Sequence, residues 1–192
     1  MGRVDVLDAY QRTLAFTGAR VGGCRVGQFG DPTPCSEWDV EALLGHILSV
    51  ISSYSVLPAG DHAAARPVAS IADGQHAQVY AALARDALAA WTRPGALERP
   101  CPHVMGVMPG ARALAIHTSD LLLHGWDLAV ATGQDATIDP ELGELALATL
   151  RDVLHLDKGR GRFFAAALPT SGADVQDVLL AYAGRRAPPV GQ

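Results

Sequence analysis

Apolar residues recur at helical spacing in five segments of the chain. The clearest stripe lies in residues 39–56, where the apolar positions follow a 3.6-residue period: Val40, Leu43, Leu44, Ile47, Val50, Ile51 and Tyr54. The same pattern predicts four more helices, over residues 3–22, 70–92, 110–131 and 140–154. Linkers rich in proline and glycine separate them, and strand-like alternation is scarce. The pattern therefore predicts an all-α fold, a four-helix bundle with long crossovers.

The pattern changes after residue 155. The stretch "GRFFAAALP" is typical of an extended segment, and "ADVQDVLLAYAGRR" predicts a short helix that stops at Gly184. We therefore expect two parts: a helical bundle over residues 1–155, and a short C-terminal α(+β) extension, residues 156–192, packed on the bundle. Upstream, Ser36 followed by Asp39 has the spacing of a capping box for the helix at 39–56.

Composition narrows the class of protein. The chain has 192 residues, of which 49% are hydrophobic and 18% charged, with a net charge of −5. Such a chain is globular, and nothing in it favours nucleic acid or an anionic membrane as a partner. We see no apolar stretch of about 18 residues that would cross a membrane, and "MGRVDVLDAY" has no apolar signal region. Three widely spaced cysteines do not indicate a disulfide framework. We expect a cytoplasmic protein.

The segment "HTSDLLLHGWD" carries the candidate chemistry. His117, Asp120, His124 and Asp127 are separated by 3, 4 and 3 residues, so they share one face of the predicted helix. Apolar residues cover the rest of the circumference, which predicts that this helix is buried or nearly so. One interpretation is a solvated polar face. The alternative is a metal site, because Asp and His at i and i+4 present two ligand atoms to one point.

A metal requires a third ligand from another segment, and His46 is the candidate. It lies in the middle of the helix predicted at 39–56, where a lone histidine is often a hydrogen-bonded core residue instead. With Asp120 and His124 it would form a three-ligand set that leaves a coordination position open, as in catalytic sites. The remaining four histidines lie in loops or at helix edges and are expected at the surface: His62, His76, His103 and His155.

Two segments together resemble a known family. "PTPCSEWDVEALLGHI" and, further on, "PGARALAIHTSDLLLHGWDLAVATGQ" resemble the DinB-like superfamily, in particular its actinobacterial branch related to the N-terminal domain of mycothiol-dependent maleylpyruvate isomerase. The terminal "LLAYAGRR" is similar to that branch, and Lys158 as the only lysine fits an actinobacterial codon bias.

The resemblance implies a four-helix bundle that holds a divalent metal. Zinc is the expected metal, and nickel and iron are the alternatives. The matching ligands are His46, Asp120 and His124. Many relatives carry Glu at the position of Asp120. The Asp side chain is one methylene shorter and reaches less far toward a metal, so His117 is an additional candidate ligand. Asp127 is expected to orient a ligating histidine. In the family the metal is thought to hold a thiol, which here would be mycothiol.

Three functions follow from the resemblance. The first is a metal-dependent enzyme of thiol S-transferase or isomerase type, acting on a small electrophile. The second is a metal-dependent hydrolase, isomerase or cyclase that uses no thiol. The third is a non-catalytic module that binds a metal or a small molecule. The related isomerases carry a substantial C-terminal domain that this chain does not match, so maleylpyruvate itself is not the expected substrate. Cys35 is a candidate reactive thiol, and a homodimer is compatible with the superfamily.

Overall fold

The computed structural model describes residues 5–36, 38–60, 74–154, 164–170, 172 and 174–186. Six α-helices lie in these ranges: α1 (Val6–Gly23), α2 (Val40–Val56), α3 (His76–Trp91), α4 (Gly110–Thr132), α5 (Pro140–Leu154) and α6 (Val175–Tyr182). A two-stranded antiparallel hairpin joins α3 to α4, with β1 at Pro100–Cys101 and β2 at Met108–Pro109. The all-α fold predicted from the sequence is confirmed.

The predicted helix bounds agree with the observed ones to within a residue, except at the starts of α1 and α3. Helix α1 begins three residues later than predicted, at Val6, after its N-cap Asp5. For α3 the pattern predicted a helix from residue 70, but the described chain at Gly74 is a bend with a φ of 72°, and α3 begins at His76. A left-handed glycine cannot continue an α-helix, so the helix starts after it. Residues 70–73 lie outside the described part of the chain.

Aspartates rather than serines begin several helices. Asp39, not Ser36, is the N-cap of α2, and its carboxylate accepts a 2.8 Å hydrogen bond from the Ala42 N–H. Asp5 caps α1 in the same way. An acidic N-cap satisfies free amide groups and carries a charge that the helix dipole favours. The cap at Asp39 fixes where α2 starts and therefore which face of α2 His46 occupies.

The first four helices form a bundle around one core. In cross-section α1 contacts α4 and α3, and α2 contacts the same two helices, so the four elements close a ring. The largest side chains buried inside it come from all four helices: Tyr10, Leu43, Leu44, Ile47, Leu48, Ile51, Trp91, Leu114 and Leu121. The ring places α2 beside α4, and those two helices carry the candidate site.

Helices α1 and α4 approach closely because of a glycine. A Cβ placed on Gly125 would lie 2.6 Å from Thr17 Oγ1 and 2.9 Å from Phe16 Cε1. The Thr17 hydroxyl instead donates a hydrogen bond of 3.0 Å to the Leu121 carbonyl. The close contact buries most of α4, as the sequence predicted.

Helices α5 and α6 cover the outer side of α4 through a second apolar cluster, which includes Leu122, Trp126, Leu150 and Leu180. Residues 164–170 carry no regular secondary structure, although Leu168 N–H donates to the Ala181 carbonyl over 2.8 Å. The C-terminal segment thus returns across the bundle, and Arg185 follows the end of α6.

One helical stretch is long and apolar enough, by composition, to cross a membrane. It spans Val40–Ala59 and consists of α2 and the 3₁₀ turn after it. Half of it is buried inside the protein, and its residues Leu44, Leu48 and Ile51 lie in the bundle core. A central core helix of a soluble fold has the same composition, and that is the position of α2 here.

Candidate metal centre

Three metal-ligating side chains from α2 and α4 converge at one point. His46 Nε2 lies 3.7 Å from Asp120 Oδ2, and His124 Nε2 lies 3.4 Å from Asp120 Oδ1. The two imidazole rings meet edge to face with their centroids 4.9 Å apart. One ligand atom from each residue falls within 4.8 Å of the others. The structure therefore brings together the three residues that the resemblance implied as ligands.

The local sequence explains this convergence. Asp120 and His124 are four residues apart on α4, so their side chains lie one turn apart on the same face. His46 lies on the neighbouring α2, beside the buried Ile47 and Leu48. Helix α2 runs antiparallel to α4, since Tyr54 packs on His117 and His46 lies beside Asp120, and this pairing could not be deduced from either helix alone.

The donor set fits a divalent metal. His46 Nε2 is buried and has no hydrogen-bond partner among the described residues, and such an orphaned nitrogen is costly. The spacings of 3.4 and 3.7 Å are long for hydrogen bonds, but they match the edges of a tetrahedron with bonds of about 2.1 Å to a central ion. Two imidazoles and one carboxylate are a set that zinc, nickel and iron all accept.

A second layer of hydrogen bonds orients His124. Its Nδ1 lies 3.0 Å from Asp127 Oδ2, and Asp127 is fully buried. Because a carboxylate only accepts hydrogen bonds, Nδ1 carries a proton, and Nε2 is the nitrogen that faces Asp120 and His46. Arg185 donates two hydrogen bonds to Asp127, from Nε over 2.9 Å and from Nη2 over 2.8 Å. This is the carboxylate–histidine arrangement that supports metal ligands.

The electrostatics of the site favour a cation. Burial raises the pKa of Asp120, but the neighbouring charge of His124 outweighs it and holds that pKa well below its usual value. Burial lowers the pKa of His124, yet the charge of Asp120 and the hydrogen bonds of Asp120 and Asp127 raise it well above normal. Without a metal, a proton on His124 therefore neutralises the site. A divalent ion can take the place of that proton.

Cys35 lies next to this layer rather than in the metal-binding set. Its Sγ donates to Asp127 Oδ2 over 3.2 Å and lies 3.6 Å from Arg185 Nη2. Thr33 holds the loop, because its hydroxyl accepts from the Cys35 N–H over 3.1 Å and lies 2.8 Å from the Trp38 carbonyl oxygen. Cys35, His124 and Asp127 form a second compact group, but the Arg185 guanidinium already supplies its cation. We interpret that group as a hydrogen-bond network.

His117 occupies a different position from the three ligands. Its ring stacks on Tyr54 with centroids 3.9 Å apart and an interplanar angle of 16°. Both of its nitrogens are buried without a hydrogen-bond partner among the described residues. Burial lowers the pKa of His117 to about 4, so the ring is neutral at pH 7. Its ligand atoms belong to neither compact group of metal-ligating side chains.

An open cavity of about 1150 Å³ adjoins the candidate ligands. His46, Asp120 and His124 line one part of it together with Cys35 and Arg185. Trp38 packs against the core but is half-buried, and its ring centroid lies 4.5 Å from that of His46, so it also forms a wall of the site. The cavity is large enough for a small-molecule ligand.

Of the histidines expected at the surface, one is buried and another is half-buried at the cavity. His76 is buried, and its Nε2 lies 3.2 Å from the Cys24 carbonyl. His103 lines the cavity, and its Nε2 lies 3.0 Å from the Tyr54 hydroxyl. The hairpin between α3 and α4 folds back onto α2, which no periodicity in the linker could indicate. His62 and His155 lie outside the described residues.

Sequence reasoning missed Arg185, Tyr54 and the position of His103. Arg185 was seen only as part of the terminal "AGRR" motif, and the signal available was its place directly after Gly184. That glycine has a φ of 77°, and a Cβ there would lie 2.8 Å from the Ala165 Cβ. The left-handed residue ends the helix and turns the chain, so that the next side chain points to Asp127.

Comparison with known proteins identifies the family. The model of the mycothiol maleylpyruvate isomerase N-terminal domain matches residues 11–129, which include all three candidate ligands. The chain belongs to this family, and the resemblance to the DinB-like branch is confirmed.

Relatives of similar length occur in Mycobacterium tuberculosis. Uncharacterized protein MT0763 of strain CDC 1551 / Oshkosh and Uncharacterized protein Rv0738 of strain ATCC 25618 / H37Rv are each 34% identical over 187 residues, 95% of this chain and 98% of the relative. Among solved structures, the mycothiol-dependent maleylpyruvate isomerase matches with a TM-score of 0.59 at 16% identity, over 78% of this chain and 68% of that chain. A mutant of that enzyme matches with the same score at 15% identity. At this identity the structural likeness shows a shared fold.

Proposed function

We propose that this protein is a metal-dependent enzyme that uses a thiol of the mycothiol type for S-transfer to, or isomerisation of, a small electrophile. The observation that carries the proposal is the convergence of His46, Asp120 and His124 on the wall of a cavity, where His46 Nε2 has no hydrogen-bond partner in the part of the chain that the structure describes. Catalytic zinc sites hold the metal with three protein ligands, whereas structural sites use four. The proposed metal is zinc, and nickel or iron suits the same donor set.

The site residues have separate roles in this proposal. His46, Asp120 and His124 hold the metal, which when bound lowers the pKa of a coordinated thiol and presents it as the thiolate nucleophile. Asp127 keeps the Nδ1 proton of His124 in place, so that Nε2 remains a ligand atom. Arg185 fixes Asp127 through two hydrogen bonds. Asp127 is thus a supporting group in this proposal, and neither it nor His117 is a ligand.

Membership of the family supports the use of a thiol. The solved enzyme with the same fold is described as mycothiol-dependent, and the cavity beside the three ligands has room for a thiol and an electrophile together. This chain is 16% identical to that enzyme, and a likeness at that level shows the fold alone. We therefore propose the broader reaction class rather than maleylpyruvate isomerisation itself. All three cysteines are free, which suits a reducing cytoplasm.

The metal is tested first. Metal content is measured by inductively coupled plasma mass spectrometry on the wild type, His46→Ala, His124→Ala and a control, His76→Ala, a buried histidine outside the site. We expect about one metal ion per chain in the wild type and the control, and loss in the other two variants with the helical circular dichroism intact. A wild type that holds no metal and cannot be reconstituted with zinc contradicts metal dependence.

The thiol is tested separately on the metal-loaded protein. Consumption of mycothiol is followed with monochlorobimane and N-ethylmaleimide as electrophiles, and His124→Ala is the inactive control. Turnover that needs both metal and mycothiol supports the proposal. Metal-dependent turnover of a substrate without any thiol favours a hydrolase or cyclase instead, and a firmly bound metal without turnover favours a non-catalytic module.

A further inference from the structure

The cavity has a second polar region away from the candidate ligands, formed by Tyr54, His103 and His117. Tyr54 follows His46 by eight residues on α2, and His117 precedes Asp120 by three on α4. At about 1.5 Å per residue, this region lies roughly 5–12 Å along the helix axes from the metal-binding set. That separation is within the span of one small molecule.

Hydrogen bonds fix the donors of this region. The Met105 N–H donates to His103 Nδ1 over 3.1 Å, so in the neutral ring Nε2 carries the proton. Nε2 lies 3.0 Å from the Tyr54 hydroxyl oxygen and donates to it. The hydroxyl proton of Tyr54 therefore has no acceptor among its described hydrogen bonds. Burial raises the pKa of Tyr54, so the phenol keeps this proton.

His117 adds a second unsatisfied group to the same wall. Its side chain is 1% exposed, it lines the cavity, and both nitrogens lack a partner among the described residues. A neutral imidazole offers one N–H donor and one acceptor. A buried polar group without a partner is unfavourable, so the arrangement favours binding of a group that satisfies it.

The charges around the cavity limit what that group can be. Among the described lining residues, the cation is Arg185, which is bonded to Asp127. Asp120 supplies a negative charge on the same helix face as His117. Most of the remaining wall is apolar, with Val50, Leu57 and Leu123 among its residues. Beside Tyr54 and His117 the described residues offer a carboxylate no free cation, whereas an uncharged carbonyl would find hydrogen-bond donors and an apolar surface.

We propose that Tyr54, held by His103, and His117 form a substrate subsite that accepts an uncharged carbonyl, such as that of an enone, ester or quinone, on an otherwise apolar molecule. This subsite rests on the proposed function, because it takes the bound molecule to be the electrophile of that reaction. The proposal assigns Tyr54 and His117 as specificity-determining residues and separates this chain from enzymes that bind dicarboxylate substrates.

The test uses two probes of matched size, benzylideneacetone, which ends in a neutral ketone, and trans-cinnamate, which ends in a carboxylate. Binding to the full zinc-loaded chain is measured by calorimetry for the wild type, Tyr54→Phe, His117→Phe and the control Tyr80→Phe. Tyr80 is a buried phenol whose hydroxyl bonds to the Leu14 carbonyl. We expect the ketone to bind, and its affinity to fall about 3- to 10-fold in the first two variants, the size of one neutral hydrogen bond, and to stay unchanged in the control.

An infrared measurement separates a direct contact from a structural effect. The carbonyl stretch of bound benzylideneacetone should shift to lower frequency in the wild type and return toward its value in an apolar solvent in Tyr54→Phe. Cinnamate binding that is as tight as that of the ketone and equally weakened by Tyr54→Phe overturns the proposal. Ketone binding that is unaffected by both cavity variants also overturns it.

Failure of the subsite and failure of the proposed function can be distinguished. The same titrations are repeated with His124→Ala, which removes a candidate metal ligand and leaves the subsite in place. If the wild type holds no metal and His124→Ala still binds the ketone, the subsite stands and the metal-dependent function fails. If the wild type binds a metal but ketone binding does not depend on Tyr54, the metal-dependent function stands and the subsite fails.

Discussion

Arg185 and Asp127 form a bidentate ion pair inside the protein, with Nε 2.9 Å from Oδ1 and Nη2 2.8 Å from Oδ2. The two residues are 58 positions apart, one after α6 and the other in the last two turns of α4. Asp127 in turn accepts from His124. The C-terminal segment therefore takes part in orienting a candidate metal ligand.

We predict that Arg185→Lys weakens zinc binding without unfolding the protein. A lysine keeps the charge but cannot donate two parallel hydrogen bonds, so Asp127 and His124 lose their fixed orientation. Loss of such support reduces metal affinity by about 10- to 100-fold. Competition with a zinc chelator measures the change, and Arg186→Lys, at the exposed neighbouring position, is the matched control. Equal affinities for the two variants would show that the ion pair does not support the metal.

Asp120 should tolerate lengthening better than loss of its charge. We expect Asp120→Glu to retain about one zinc per chain, because the carboxylate is half-buried at the cavity and has room to move. Asp120→Asn should lose most of it, since an amide is a neutral and weaker ligand. Metal analysis after dialysis distinguishes them, with the exposed Asp86→Asn as control. Retention of zinc by Asp120→Asn would place the third ligand elsewhere.

Cys35 should be the thiol that reacts first in the folded protein. It is half-buried at the cavity, whereas Cys24 and Cys101 are buried, and burial raises the pKa of Cys24 to about 11. The thiolate is the reactive form, so iodoacetamide at neutral pH should label Cys35 well before the other two. Peptide mapping by mass spectrometry measures the labelling, and Cys35→Ser should remain unlabelled on the same timescale. Simultaneous labelling of all three cysteines would contradict this expectation.

Acid stability should depend on His117. Burial lowers its pKa from 6.5 to about 4, so between these values the unfolded chain binds a proton that the folded chain does not. The contribution is fully present above pH 6.5 and is lost as the pH falls toward 4, by roughly 3 kcal/mol in the free energy of unfolding.

The measurement compares urea unfolding of the wild type and His117→Phe at pH 7 and pH 4.5, both in the presence of a chelator. The phenyl ring keeps the stack on Tyr54 and cannot be protonated, so the variant should lose less stability on acidification. His76→Phe controls for removal of a buried histidine as such. An identical pH dependence in the wild type and His117→Phe would show that His117 is not buried in its neutral form.

Two glycine substitutions should have opposite effects on stability. Gly125→Ala places a Cβ against Thr17 and Phe16 and should cost about 1–3 kcal/mol, because α1 and α4 must separate. Gly45 lies inside α2 with nothing within 4 Å of the same added atom. Gly45→Ala should therefore stabilise the protein by about 0.5–1 kcal/mol through helix propensity. Thermal or urea unfolding compares them, and an equal effect of both would contradict the close helix contact.

Much of the fold could be predicted from the sequence, because it depends on local spacing. The 3.6-residue stripes in 39–56 and 110–131 defined α2 and α4 to within a residue. The same periodicity put Asp120 and His124 on one face, since i and i+4 are neighbours on any α-helix. Periodicity did not predict the start of α3, because a bend of the backbone at Gly74, not hydrophobicity, determined it.

The surroundings of the site depended on tertiary structure. Cys35 lies 89 residues from His124, and His103 lies 49 residues from Tyr54, yet both pairs are in contact. Periodicity relates residues within one helix, but it does not determine which loop crosses which helix. The placing of Arg185 on Asp127 and of the hairpin on α2 follows from how the helices close around a shared core. The sequence by itself determined the helices and the polar stripe of α4, and the packing of the chain decided that this stripe faces a cavity.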